Sequence, residues 1–177
     1  MPSRRVAIQQ LLFICAGTAI LPSCFRNETK VSIPLTNIKI TGDREKMLAE
    51  LAETIIPKTD TPGAKDLSAH LFVLKMVDDC FPKEKQDKFM LGMKEFETFA
   101  EKKSGSAFAS GNPEQKQAVV SGLEGRKSGE DNLSFFYQTA KQLTIQAYSS
   151  SQFYLTNIRH YKMIPGKYQG NVPLKAA

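Results

Sequence analysis

The sequence predicts an all-α protein: a small bundle of about five helices, with an N-terminal signal and tether and an extended C-terminal tail. Apolar residues recur at spacings of three and four from residue 44 onward, which is the period of an amphipathic helix. Pro, Gly and Ser clusters interrupt that pattern where helices should end. The length of 177 residues suits a single domain of this kind.

The composition argues against several classes of protein. Hydrophobic residues make up 41% and charged residues 24% of the chain, as in ordinary globular proteins. The 24 Lys and Arg outnumber the 18 Asp and Glu, but the two signs are interleaved, which indicates a solvated surface and no nucleic-acid-binding stripe. Three Cys and two His occur without a CxxC pair or a ligand cluster. We therefore expect no metal or cofactor site in this chain.

Residues 1–23 have the layout of an export signal. Arg4 and Arg5 precede an apolar stretch at residues 11–21, about half as long as the roughly 20 residues that a membrane-spanning helix needs. The paired arginines favour twin-arginine export, although Ala7 stands where such signals usually have Phe. We expect export across a bacterial membrane to its periplasmic side.

The end of this signal resembles a bacterial lipobox. Leu21-Pro22-Ser23-Cys24 places a small residue before a Cys, so Cys24 is predicted to be acylated and to begin the mature, lipid-anchored chain. Pro22 departs from the usual pattern. An uncleaved hydrophobic anchor, or an ordinary cleavage site near Ser23, is the alternative.

The first half of the mature chain divides into a tether and two helices. Residues 24–43 are polar and β-branched, which predicts a tether with room for one short strand. A helix is predicted from Arg44 to Ile56 and is stopped by Pro57. A dense turn signal follows at residues 58–63. The next helix, from Ala64 to Phe81, is apolar on two sides, which predicts a central place in the core.

The second half continues the helical pattern. A helix should run from Pro82 to Ser104, where Gly105 ends it. Residues 112–115, Asn-Pro-Glu-Gln, predict an N-cap for a short helix. A strong helix follows at residues 133–149 and a short one at residues 153–158. The tail from Tyr161 to Leu174 contains Pro and Gly, which predicts an extended or looped conformation.

No residue pattern predicts catalysis. Asp78 and Asp79 point about 100° apart on a helix, so they should not share a proton or a metal, and a surface or helix-end position is expected. His70 and His160 lie in no motif, which favours structural roles. Cys80 follows an apolar helix face and is expected to be buried. The glycines form no phosphate or dinucleotide cradle.

Two Gly- and Pro-containing segments stand out instead. They are TIIPKTDTPGA at residues 54–64 and IPGKYQGNVPL at residues 164–174. Both resemble the small subunit of gluconate 2-dehydrogenase and related membrane-bound sugar dehydrogenases, called subunit 3 or gamma. That family shows a T-I-[IL]-P-x-T-D-T-P-G-A segment and ends in P-G-x-Y-x-G-x-x-P. The resemblance covers residues 44–174 and implies a helical small-subunit domain over residues 44–177.

The resemblance implies a non-catalytic accessory role. In such complexes a GMC-type large subunit carries FAD and oxidises a sugar or sugar acid, and a cytochrome c subunit with haem c often receives the electrons. The small subunit has no cofactor. It binds the large subunit, which lacks an export signal, and supplies the twin-arginine signal for the pair.

A preformed turn and a Gly/Pro tail lose little conformational entropy on docking, so both segments are expected to contact the partner. The predicted interface residues are Thr59, Asp60, Thr61, Pro62, Gly63, Ala64, Pro165, Gly166, Tyr168, Gly170, Pro173 and Leu174. Two other interpretations remain open. One is a stand-alone envelope lipoprotein that binds a ligand or another envelope protein, and the other is an enzyme in its own right.

Overall fold

The computed structural model describes residues 30–126, 131–164 and 166. Within these ranges it is helical and contains no strand, which confirms the predicted fold class. The α-helices are α1 (Gly42–Ile55), α2 (Ala69–Cys80), α3 (Lys83–Ser104), α4 (Pro113–Glu124) and α5 (Asn132–Ser149). A 3-10 turn, Phe108–Ser110, precedes α4, and a π-helical turn, Tyr154–Ile158, follows α5. In the described ranges no helix is long and apolar enough to cross a membrane.

Several helix ends lie where local signals predict them. At the start of α4 the Asn112 side chain accepts a hydrogen bond from the Gln115 N–H at 2.8 Å, and the Gln115 side chain accepts one from the Asn112 N–H at 2.9 Å. This is the predicted capping box, with Pro113 at the first helical position. Gly105 ends α3 in the left-handed conformation, with φ 75°.

Helix α2 begins later than the sequence predicts. Residues 64–68 form turns, in which the Ser68 N–H donates to the Lys65 carbonyl at 2.9 Å. Ser68 has φ 54°, a left-handed conformation that interrupts a right-handed helix. The prediction of a helix starting at Ala64 is therefore wrong, and the helix starts at Ala69.

Helix α2 is also not central. It buries one face and leaves Leu71, Phe72 and Met76 half-exposed, because it packs at the edge of the bundle against α1 and α5. The buried residues are Ala69, Val73, Leu74, Val77 and Asp78. The end of α2 reverses one further expectation, since Cys80 is exposed and not buried. Asp79 lies at the surface, whereas Asp78 is buried in the last turn of the helix.

The core is centred on the crossing of α3 and α5. The rings of Phe89 and Phe136 lie 4.9 Å apart between centroids, and those of Phe96 and Phe136 lie 5.4 Å apart. All three side chains are fully buried, and each such burial stabilises the fold by about 1.5–3 kcal/mol. Gly92 permits this close crossing, because a Cβ there would overlap the Asn132 carbonyl and lie 2.6 Å from the Cβ of Phe136.

Residues 32–38, which we call the strap, are held against the bundle by Asp78. The Asp78 carboxylate accepts hydrogen bonds from the N–H groups of Thr36 at 2.8 Å, Asn37 at 2.6 Å and Ile38 at 2.9 Å. The Ile38 side chain is buried in the core. The carboxylate therefore satisfies backbone N–H groups of the strap that would otherwise be paired within a strand or a helix.

The beginning of the strap is bound by a second carboxylate. The Ser32 N–H and hydroxyl donate to the two oxygens of Glu45 on α1, at 2.7 and 2.5 Å. This part of the predicted tether is thus fixed to the domain. Residues 24–29 lie outside the described ranges, so the bounds of the tether stay a prediction.

Asp78 is charged although it is buried. Burial alone raises the pKa of its carboxyl, but the three strap N–H groups and the nearby Lys75 ammonium together lower that pKa below its usual value. Lys75 Nζ lies 3.9 Å from the nearer carboxylate oxygen. A carboxylate that accepts several hydrogen bonds is stabilised in its ionised form.

We expect Gly92→Ala to destabilise the protein by about 2–3 kcal/mol, because the new methyl group must push apart the backbones of two core helices. Gly125→Ala is the matched control, since no atom would lie within 4 Å of the new Cβ. Urea unfolding followed by circular dichroism measures both. Equal midpoints for the two variants would contradict the close crossing.

Asp78→Asn should cost about 2–4 kcal/mol at neutral pH, because an amide removes the charge and turns an NH₂ group toward N–H donors. The control is Asp79→Asn, which loses only an exposed ion pair with Lys75 at 3.1 Å and should cost no more than about 0.5 kcal/mol.

The cost of Asp78→Asn should also depend on pH. Because the pKa of Asp78 is lower in the folded than in the unfolded protein, its stabilisation is complete above the usual pKa of about 3.9 and is lost as pH falls through the folded value. The difference in unfolding free energy between wild type and variant should start to shrink below about pH 4 and should be lost once the pH is below the pKa of Asp78 in the folded protein. A constant difference from neutral to strongly acidic pH would argue against the charged carboxylate.

Candidate interaction surface

The turn between α1 and α2, residues 56–68, is held in shape by Glu53. One carboxylate oxygen accepts a hydrogen bond from the Lys58 N–H at 2.9 Å and the other from the Lys65 N–H at 3.0 Å. The same carboxylate occupies the space that a side chain at position 63 would need, which explains Gly63. The turn is therefore a rigid feature of the surface.

The structure divides the six residues predicted for this turn into two groups. Thr59 and Asp60 are exposed, and Thr61 and Pro62 are half-exposed. Gly63 and Ala64 are buried, Ala64 in a small cluster with Ala52 and Ala69. Residues 59–62 are thus accessible at the surface, whereas the buried Gly63 and Ala64 determine the shape of the turn.

Tyr148 joins the turn to the end of the chain. Its hydroxyl donates a hydrogen bond to the Pro62 carbonyl at 3.1 Å. Its ring contacts that of Tyr154 in the π-helical turn, with centroids 6.0 Å apart. The structure therefore brings the α1–α2 turn and the start of the predicted tail to the same end of the bundle.

An open groove of about 580 Å³ lies beside these contacts. One wall comes from Leu67 and Phe72, before and within α2. The other comes from the end of α5 and the residues after it, and the full lining is Leu67, Phe72, Ala147, Ser151, Gln152, Phe153, Thr156 and Asn157. The groove combines apolar surface with hydroxyl and amide groups, so it can take up both apolar and hydrogen-bonding side chains.

The chain leaves the groove through residues 158–164, which we call the C-terminal segment. Four large apolar side chains project from it: Ile158 is 48% exposed, Tyr161 59%, Met163 84% and Ile164 83%. A concentration of exposed apolar side chains is typical of a surface that binds another molecule.

The two sides of this surface differ in charge. Near the turn, Lys58 pairs with Asp66 at 3.0 Å, and Glu50 bridges Lys65 at 2.5 Å and Lys116 at 2.6 Å. The C-terminal segment carries Arg159 and Lys162, and the sequence contains no Asp or Glu after Asp131. The turn is therefore electrostatically balanced and the segment is basic.

The pKa of Glu50 reflects its two partners. Burial raises the pKa of this carboxyl, but the ammonium groups of Lys116 and Lys65 have the larger combined effect and lower it. The bridge ties α1 to α4 and to the turn, and so supports the position of the turn.

A sequence model of the gluconate 2-dehydrogenase subunit 3 family matches residues 43–166, well over half of the chain. The chain belongs to this family. The match confirms the resemblance and includes all five helices, the α1–α2 turn and the C-terminal segment. No curated protein and no solved structure matches the chain.

The remaining residues singled out in the sequence lie partly beyond the structure. Of the interface residues predicted in the tail, only Gly166 is described; it is exposed and has φ 73°. Pro165, Tyr168, Gly170, Pro173 and Leu174 lie outside the described ranges, as do Arg4, Arg5 and Cys24. Their roles stay predictions.

Sequence reasoning missed the exposed apolar side chains of residues 158–164. The sequence pattern predicts a short helix up to residue 158 and an extended tail from Tyr161. Neither kind of structure predicts whether its apolar side chains are exposed. The absence of acidic residues after Asp131 was a signal that could have pointed to it. The groove could not have been found, because its walls are far apart in the sequence.

The histidines of this subunit 3 family member lie in different surroundings. His70 is half-exposed on α2, its Nδ1 is buried without a hydrogen-bond partner, and burial lowers its pKa. His160 is exposed, with φ 50°. Among the described residues no group of three or more His, Cys, Asp or Glu side chains could hold a metal ion.

Glu53→Gln should loosen the α1–α2 turn, because an amide can accept at only one end and turns an NH₂ group toward an N–H donor. We expect a loss of about 1 kcal/mol in stability and roughly tenfold faster hydrogen exchange at the Lys58 and Lys65 amides. Asp60→Asn, at an exposed position of the same turn, should change neither. Unchanged exchange in Glu53→Gln would show that other contacts hold the turn.

Proposed function

We propose that this chain is the non-catalytic small subunit of a membrane-associated, FAD-dependent dehydrogenase that oxidises a sugar or sugar acid. The observation that carries the proposal is the family match over residues 43–166. Catalysis and FAD belong to a GMC-type large subunit. Electrons pass from it to an acceptor such as a cytochrome c subunit with haem c.

The interaction surface supports this role. The α1–α2 turn is preformed, so it loses little conformational entropy when a partner covers it. The groove and the exposed apolar side chains of the C-terminal segment lie at the same end of the bundle. We infer that the large subunit binds at this end, through residues 59–62, the C-terminal segment and the predicted tail from Pro165 to Leu174.

The N-terminal part of the proposal concerns export and anchoring. Arg4 and Arg5 direct the pair through the twin-arginine route, and acylated Cys24 holds it at the periplasmic side of the membrane. The strap supports anchoring in one respect. Since Ser32 is bound to Glu45, only the residues from Cys24 to Ser32 separate lipid from bundle, a span of at most about 30 Å.

The test is isolation of this protein from its native membranes in mild detergent, followed by an absorption spectrum and mass spectrometry. A stoichiometric partner with a flavin spectrum is the expected result. Assays of that complex with gluconate, glucose and other sugars would then identify the substrate. A chain lacking residues 167–177 serves as the comparison and should retain less of the partner.

A colourless protein isolated alone would contradict the proposal. The groove would then favour the other interpretation, a stand-alone envelope lipoprotein with its own ligand.

A further inference from the structure

We propose that the C-terminal segment, residues 158–164, binds an acidic patch with an apolar centre on the catalytic subunit. This inference rests on the proposed function and specifies the chemistry of the partner surface. It depends on three properties of the segment: its exposed apolar side chains, its unbalanced positive charge and its position beside the groove.

The exposed apolar side chains of the segment favour contact with a partner surface. Ile158, Tyr161, Met163 and Ile164 expose between 48% and 84% of their surface within seven residues. Single exposed apolar residues are normal on a soluble protein, but a run of this kind marks a binding surface. Tyr and Met are also enriched where proteins contact one another.

The charge of the segment favours a partner of opposite sign. Arg159 and Lys162 alternate with the apolar residues, and no ion pair in the described part of the chain involves either of them. The last 46 residues contain five Lys or Arg and no Asp or Glu. No acidic residue therefore lies near the segment in the sequence. We expect carboxylates of the partner to pair with Arg159 and Lys162.

The α1–α2 turn provides the contrast. Its lysines are paired within the chain, Lys58 with Asp66 and Lys65 with Glu50. The turn thus needs no charge from a partner. The salt-sensitive part of the interaction should therefore come from the C-terminal segment and the tail that follows it, and not from the turn.

A basic, apolar segment could also meet an anionic membrane. The adjoining groove favours a protein. The exposed amides of Gln152 and Asn157 line it, and a partner side chain can form hydrogen bonds with them that lipid acyl chains cannot.

The experiment measures binding of the full chain in detergent to the purified flavoprotein at about 50 and 300 mM salt, conditions that differ strongly in screening. The first variant is Arg159→Glu with Lys162→Glu. Its control is Lys85→Glu with Lys94→Glu, an equal change of charge at exposed positions of α3. We expect the first variant to raise Kd at least about tenfold at low salt and to reverse the salt dependence, because salt would then screen a repulsion between the new carboxylates and the acidic patch. The control should stay within about twofold of wild type.

A second variant tests the apolar part. Met163→Ser with Ile164→Ser should raise Kd about tenfold at both salt concentrations, with the salt dependence retained. Thermal unfolding should be unchanged in all variants, because these side chains are exposed.

The outcomes separate the two proposals. Tight flavoprotein binding that neither segment variant affects overturns the inference and leaves the proposed function intact. No flavoprotein binding by the wild-type chain overturns both. Loss of binding to phosphatidylglycerol vesicles, with flavoprotein binding unchanged, would assign the segment to the membrane and overturn the inference.

Discussion

The buried carboxylate of Asp78 connects three parts of the chain, the strap, the end of α2 and the start of α3. Its oxygens accept the strap amides of Thr36, Asn37 and Ile38, and its position at the end of α2 sets where the strap lies. Its backbone carbonyl accepts hydrogen bonds from the side chains of Asn37 and Gln86, at 2.8 and 2.9 Å. One residue thus satisfies the end of α2, the first turn of α3 and an irregular segment, none of which could be buried with unpaired polar groups.

A second set of contacts organises the end of the bundle that carries the α1–α2 turn, the groove and the C-terminal segment. The aromatic core between α3 and α5 fixes the direction of α5, and Tyr148 near the end of α5 fixes both the α1–α2 turn and the π-helical turn. Rigidity comes from buried contacts, whereas among the described residues at that end the C-terminal segment is basic and exposes apolar side chains. Stability and surface chemistry are thus provided by different residues.

The features that could be predicted are those encoded locally. The capping box of Asn112 and Gln115 and the left-handed Gly105 each need only a few neighbouring residues, so their positions were readable in the sequence. The sequence leaves Asp78 either at the surface or at a helix end, and its burial at the end of α2 could not be predicted, because its hydrogen-bond donors lie about 40 residues earlier, a distance that no local pattern bridges. The buried face of α2 was misjudged for a related reason: periodicity shows which faces are apolar, but only the neighbouring helices decide which one is covered. The interaction surface likewise depends on a hydrogen bond between residues 86 positions apart.

The strap can bind to the bundle only after later parts of the chain have been synthesised. Its hydrogen-bond partners Glu45 and Asp78 both follow it in the chain, so a ribosome must complete α2 before both ends of the strap can be bound. Before that point the residues that precede the strap are attached to a chain without a fixed tertiary structure. Once the strap is bound, they leave the bundle at a defined position. Docking of the strap therefore requires that α1 and α2 have formed, and it fixes the point at which the preceding residues leave the bundle.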